Sequence, residues 1–335
     1  MKMYMKLNLF KMIMAGIFVN TTLTAQTAVV EKIRKNSDSP FSYAELSVKE
    51  GGKWEGNKYI GGTFKNIQEL TLPASHTDHS TYIRYEGIGL ENNQIAYRLY
   101  LDWRNATDIF GKKVKTLVLP DVGQDGFESY HHEAAWGQDI LKSGRTIGIG
   151  SYGRYDDQND FVETFKTVQN TVAKVFNAKD QSYATIDYQG WKTWGDAIDL
   201  KSRITIFSRD RFVKVDLNVS KPVSGLCTGI VAFKNIPVKQ QISQNKKWAY
   251  VATYGNQTET KKDDALGMAV FYPVKSFDSY VKTKSTHTIV FKKSENVSYY
   301  FMGAWSMEPG GLKTEEDFYR DLDKKLDILD QNDQL

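Results

Sequence analysis

Four of the five histidines in this chain stand in two short clusters, each beside carboxylates. His76 and His79 lie in "SHTDHS" with Asp78 between them; His131 and His132 lie in "YHHEAAWG" between Tyr130 and Glu133, with Trp136 close behind. Between the clusters runs "NQIAYRLYLDWR", whose alternation puts Arg98, Asp102 and Arg104 on one side and Ile95, Tyr97, Leu99 and Leu101 on the other. Arg84 precedes it in "IRYEG" and Lys142 follows in "DILK". Histidine, tyrosine, arginine and lysine can take a proton from carbon, hold a carboxylate and protonate a departing oxygen. Those are the roles needed for elimination next to a carboxylate, the chemistry of a uronic acid, and none of them requires a cofactor.

Each cluster also has a plainer reading. A polar strand face is ordinarily the solvated side of an antiparallel sheet. A histidine pair in a loop is ordinarily a surface feature. Glu133 ahead of an apolar stretch favours a helix start through the macrodipole. The "HTDH" spacing permits a metal without specifying one, so the metal question stays open. One constraint is firm: a face with two cations and an anion cannot enter an apolar core alone, and must meet water, partner charges or an anionic ligand. No nucleophile elbow, P-loop or dinucleotide fingerprint is present.

The elements that must position these residues read as β throughout. Strand patterns recur in "TYIRYEG", "KTLVLP", "RTIGIGSYG", "YATIDYQGW", "WAYVATYG" and "SYYFMGAW", and "SRITIFSRDRFVKVDLNVS" reads as a hairpin turning at Arg209–Asp210. Two helices are expected. One covers "TEEDFYRDLDKKLDILDQ", opened by Thr314 and Asp317 in capping-box positions; a short one covers "EAAWGQDILKSG", weakened by Gly137 and ended by Gly144. The expected fold is all-β, a large antiparallel β-sandwich with a C-terminal helix, forming one catalytic domain over 26–335.

Residues 1–25 read as a secretory signal peptide: Lys2, Lys6 and Lys11, then a short apolar run, then small residues up to Ala25. This predicts a periplasmic or secreted protein with no membrane anchor. The leader holds three lysines and no acid, so the net charge of +4 falls to +1 without it, and nucleic acid is not implied as a partner. Cys227, the one cysteine, excludes an internal disulfide and is expected to be buried and inert. The sequence does not specify an oligomeric state.

The stretches "HTDHSTYIRYEGIGLENNQIAYRLYLDWRNATDIFGKK" and "VGQDGFESYHHEAAWGQDILKSGRTIGIGS" resemble the family called domain of unknown function 4861, whose members are secreted proteins of polysaccharide-degrading bacteria. The resemblance runs from about residue 30 to 330 and is most specific over Tyr85 to Ser151. It implies a β-sandwich enzyme of carbohydrate breakdown, with a galactose-mutarotase-like supersandwich as one form. The implied activity is that of an oligosaccharide dehydratase on ulvan fragments, which eliminates water at C4–C5 of a non-reducing-end uronic acid and leaves an unsaturated uronyl end.

In the scheme these residues suggest, His132 or Tyr130 removes the C5 proton and His79 protonates the leaving hydroxyl. Arg84 and Arg98 hold the carboxylate and Lys142 adds charge. Trp136 stacks on a sugar ring or joins the core, His131 is a neighbour in contact with ligand, and Asp102 and Glu133 orient the arginines and the histidine. The partner is an acidic oligosaccharide. A polysaccharide lyase uses the same elimination with a sugar as leaving group; a non-catalytic glycan-binding sandwich and a sugar mutarotase are further readings.

Overall fold

A computed structural model describes residues 26–36, 39–126, 129–260 and 263–335. The signal peptide expected over 1–25 lies outside the described residues. The chain forms three antiparallel sheets. The first holds six strands: β1 (Ser42–Glu55), β2 (Lys58–Ile67), β4 (Ile83–Asn92), β5 (Ala96–Tyr100), β6 (Thr107–Lys112) and β7 (Gly137–Asp139), in the order β2-β1-β4-β5-β6-β7. β3 (Glu69–Thr71) leaves it to become the edge of a nine-stranded sheet, whose centre is Ser294–Trp305, Val213–Val223 and Asp196–Phe207. The third sheet has five strands around Thr286–Phe291, Leu226–Val231 and Ile149–Asp156.

Alternation decides the layers. On β1, Ala44, Leu46 and Val48 join the main core, which also takes Val251, Val270, Val215 and Phe301 from the nine-stranded sheet and Ile230 and Ile289 from the third. The first and third sheets therefore pack on one face of the nine-stranded sheet. Its opposite face carries Tyr250, Phe271 and Tyr300, covered by Phe318, Leu322, Leu326 and Leu329 of a C-terminal helix, Glu315–Asn332. The all-β sandwich with a C-terminal helix is thus observed. The helix opens as its sequence indicates, with Thr314 accepting from the Asp317 amide at 3.1 Å. Thr314→Ala leaves that amide without its cap and is expected to lower stability by about 1 kcal/mol in urea denaturation.

The hairpin at Arg209–Asp210 is present, with Leu200 to Ile206 paired to Val219 to Val213. Cys227 is fully buried, and burial drives its thiol pKa upward. Two expected elements differ. Residues 133–144 form no helix; they contain β7, which pairs with β6. Gly137 explains this, because a Cβ there would stand 1.8 Å from the Gly111 carbonyl oxygen, and its φ of 131° excludes other residues. "KTLVLP" is not a strand either: it ends in a 3-10 turn, Leu119–Asp121, and crosses over the first sheet.

His287, the histidine outside both clusters, is buried in the third sheet with Nδ1 2.7 Å from the Tyr280 hydroxyl. Burial, aided by the Lys282 charge, pushes its pKa down to about 4. The unfolded chain then binds a proton that the folded chain refuses, so this contribution is complete above pH 6.5 and is lost as pH falls towards 4. Between pH 7.5 and 5 the loss should reach about 2 kcal/mol, and a His287→Gln variant measured by urea denaturation should show a flatter profile over that window.

Candidate active site

The second face of the first sheet carries the candidate residues. Opposite the core-facing residues, its strands present Glu45, Glu91, Arg98, Asp108, Lys112 and Asp139, all buried. The cover is the segment between β6 and β7, whose Leu117, Val118, Leu119, Val122 and Tyr130 pack on Tyr43, Tyr85, Ala96 and Phe110. A covering loop brings backbone groups that need partners. Glu91 supplies them by accepting from the Val118 and Leu119 amides, each at 2.8 Å, while it pairs with Lys112 at 2.6 Å. Arg84 donates to the Pro120 carbonyl at 2.9 Å and pairs with Glu45, which also accepts from the Tyr85 hydroxyl at 2.5 Å. The polar face expected to be solvated is instead buried with its charges paired, and the five-residue β5 ends at Tyr100, before Asp102 and Arg104.

Arg98 is the centre of the next cluster. Its register partner on β6 is Asp108, which it engages through Nε at 2.9 Å and through Nη2. The same Nη2 donates to Asp139 Oδ2 and to the Tyr100 hydroxyl, both at 2.7 Å. The Tyr100 ring lies between two guanidiniums, 4.5 Å from Arg98 and 3.9 Å from Arg104. Arg104 pairs with Asp102 at 2.5 Å and with Glu86 at 3.1 Å, and Glu86 accepts from the His79 amide at 2.5 Å. His131 Nδ1 stands 3.4 Å from Asp139 Oδ2, and its ring lies 4.6 Å from that of Tyr130. Among the described residues, Arg98 Nη1, Asp139 Oδ1 and Glu86 Oε2 are buried without a hydrogen-bond partner.

The electrostatics follow from burial. Four carboxylates, Glu86, Asp102, Asp108 and Asp139, share this space with two guanidiniums, Arg98 and Arg104. Burial raises the pKa of Asp108, Arg98 pulls it back and Asp139 raises it again, so the net direction is up. The Asp139 hydrogen bond raises the His131 pKa against burial. Burial also raises that of Tyr130, against the pull of Arg98, which makes its phenol a proton donor rather than a ready base. The cluster therefore favours bound protons on its flank and a fixed cation at its centre.

The backbone around it is strained. Of ten non-glycine residues with positive φ among the described residues, five are His79, Thr81, Tyr85, Glu86 and Asn105. A β-branched threonine at φ 62° is a costly conformation, and such costs gather where a site must hold groups in place. Asn105 is held by its Nδ2 on the Tyr152 carbonyl at 3.0 Å and by the Tyr188 hydroxyl on its Oδ1 at 2.8 Å.

His79, His131, Tyr130, Arg98 and Asp102 are thus joined by one network of contacts. His132 is exposed beside it, with its amide donating to the Ser129 carbonyl at 3.3 Å. Glu133 is exposed and pairs with Lys113. Lys142 is exposed and pairs with Glu259 at 3.0 Å. Trp136 is half-buried, edge-on to Phe110 at 6.0 Å. Asp102 engages Arg104 rather than Arg98. His76 has Nδ1 2.9 Å from the Ser80 hydroxyl and Nε2 2.9 Å from the Leu101 carbonyl, which hold its ring in place. Burial lowers its pKa, against the pull of that carbonyl.

Sequence reasoning missed Glu45, Glu86, Tyr100, Asp108 and Asp139. Asp108 had a signal, because a β5–β6 hairpin places it opposite Arg98; Asp139 had none once its stretch was read as a helix. No group of three or more His, Cys, Asp or Glu side chains among the described residues is arranged to hold a metal ion. No helix among them is long and apolar enough to cross a membrane.

Two surfaces adjoin the network. A cleft of about 370 Å3 is walled by His76, Thr77, Asp102, Trp103, Lys166 and Asn170. Beyond His79, the β1–β2 hairpin sets Trp54, Tyr59 and Tyr82 with ring centroids 5.0 to 5.2 Å apart, all half-buried. Lys58 ties this hairpin to the site by donating to the His79 carbonyl at 2.6 Å.

No curated protein matches the chain. A solved structure of a TPR-domain containing protein from Parabacteroides distasonis overlaps it at 8% identity and a TM-score of 0.35, over 78% of this chain and 54% of that one. The chain thus spans about half of that protein, and so loose an overlap carries neither fold nor function. Residues 14–332 match the model described as Domain of unknown function (DUF4861), and the chain belongs to that family.

Proposed function

We propose that the protein is an exported carbon–oxygen lyase that removes water across C4–C5 of a non-reducing-end uronic acid, on ulvan-type or similar acidic oligosaccharides. The observation that carries this reading is the pairing of Arg98 with His131 through one carboxylate, Asp139, while Arg98 Nη1 keeps a buried donor with no acceptor among the described residues. Nη1 is sealed from solvent, so Arg98 acts on a uronate carboxylate bound beside His131 through its charge rather than by direct contact. In the reaction His131 takes the C5 proton, with Asp139 holding its imidazole. The electron pair of the C5–H bond becomes the C4=C5 bond while the C4–O bond breaks. Tyr130 gives its proton to the departing hydroxyl, which leaves as water. Arg98 stabilises the charge that grows on the carboxylate.

The test is incubation with uronate-ended oligosaccharides, followed by mass spectrometry and ultraviolet absorbance. Loss of one water with a rise in enoate absorbance supports dehydration. Absorbance with chain shortening replaces it with a polysaccharide lyase, in which the leaving oxygen belongs to a sugar. The Trp54, Tyr59 and Tyr82 group favours one further reading, a glycan-binding module, since aromatic faces stack on sugar rings. Saturable binding with no product on a broad panel would put that reading first.

A further inference from the structure

A second polar cleft lies on the face of the nine-stranded sheet that carries the C-terminal helix, opposite the face on which the first sheet packs. It encloses about 620 Å3, and its walls carry Lys214, Lys246, Lys247, Lys275, Asn296 and Ser298. A fifth lysine, Lys292, borders it by donating to the Lys275 carbonyl at 3.2 Å. The one acid on its walls, Asp333, accepts from the Trp248 indole at 3.1 Å. Lys214 pairs with Asp216 at 3.0 Å, while Lys246, Lys247 and Lys275 make no ion pair among the described residues. A chain whose net charge is +1 without its leader has gathered an unbalanced cationic cavity in one place.

The cavity is built rather than incidental. The turn carrying Lys246 and Lys247 is fixed to the helix by Asp330, which is buried. Asp330 accepts from the Ser243 hydroxyl at 2.5 Å and from the Asn245 amide at 2.9 Å. The Lys246 amide closes the turn on the Ser243 carbonyl at 3.0 Å, and Lys246 itself sits at φ 58°. A non-glycine backbone in the left-handed region costs energy, and the Asp330 contacts hold the turn there.

We propose that this cleft is a binding site for a sugar-sized ligand bearing sulfate or phosphate monoesters. Compact ammonium groups suit tetrahedral oxyanions as point charges. Asn296 and Ser298 offer amide and hydroxyl partners for sugar hydroxyls. The volume suits one or two rings and falls in the ordinary range for ligand pockets. A concave site of this size does not match a flat lipid surface, and a single cleft lacks the extended cationic track of a nucleic-acid groove. The site is separate from the Arg98 network and stands whatever reaction occurs there.

The test is calorimetric titration of the full chain with a heparin-derived tetrasaccharide, its desulfated counterpart and a hexose bisphosphate. Binding of the sulfated or the phosphorylated probe, with none of the desulfated one, is expected, and whichever binds tighter identifies the oxyanion. Lys246→Gln/Lys247→Gln and, separately, Lys275→Gln/Lys292→Gln should each weaken it by about tenfold or more, and binding should weaken as salt rises. His131→Ala should leave it unchanged. The proposal is overturned if neither anionic probe binds, if neither double variant alters affinity, or if the desulfated sugar binds equally well. It is also overturned if a single-stranded oligonucleotide of equal charge competes equally, which marks a general polyanion surface.

Discussion

Replacing Arg98 with methionine is expected to destabilise the protein by about 3–5 kcal/mol, the largest effect on stability of any substitution at the site. The methionine fills much of the same space, so lost packing is minor. What remains is Asp108 and Asp139 facing each other under the cover of the 113–136 segment, with no guanidinium between them. Asp108 can lower the cost by taking a proton, and this gives the effect a pH signature. The Asp108 pKa, already raised by burial, rises further in the variant, so the folded state holds a proton that the unfolded state releases, and the deficit should widen as pH increases from 5.5 to 8. Urea denaturation at the two pH values checks this. A loss under about 1 kcal/mol at pH 8 would mean that the network is solvated and that the buried-cluster description is wrong.

His131→Ala should lower the dehydration rate by a factor of about 10^2–10^4, the range for removing a general base, while His132→Ala should stay within about threefold of the parent. The two histidines are adjacent in sequence and differ in place: only His131 stands against Asp139. As a base His131 must be unprotonated, and its pKa is raised by the Asp139 hydrogen bond. The rate should therefore climb with pH through a midpoint above 6.5, and Asp139→Asn should move that midpoint down. Initial rates from enoate absorbance between pH 5 and 9 measure both. Equal losses in the two alanine variants would assign the pair a structural role and remove His131 from the reaction.

The fold was legible where one face of an element is apolar and the other is not. The C-terminal helix and the Arg209–Asp210 hairpin follow from spacing and capping alone. The first sheet was harder because both faces of β4, β5 and β6 are buried. Arg98 there signals a charged interior layer, and in sequence such a layer looks the same as a solvated face. What separates them is the cover, and "KTLVLP" reads as a strand until Glu91 is seen satisfying its amides. For the candidate site, residues of both histidine clusters and two of the arginines fall in one contact network, while the carboxylates that organise it come from strands read only for their apolar residues. Asp139 shows why: a glycine-permitted strand three residues long carries too little pattern to betray itself.

The burial of Cys227 has a practical corollary for spectroscopy. The chain has a single thiol, and it is sealed in the Leu226–Val231 strand, where burial also disfavours the reactive thiolate. A cysteine introduced on the surface would then be the sole group open to a maleimide dye or a nitroxide, with no need for a cysteine-free background. One label on the Lys246 turn and another on the β1–β2 hairpin would each report on one ligand, and paired labels would show whether occupancy at one end of the molecule is felt at the other.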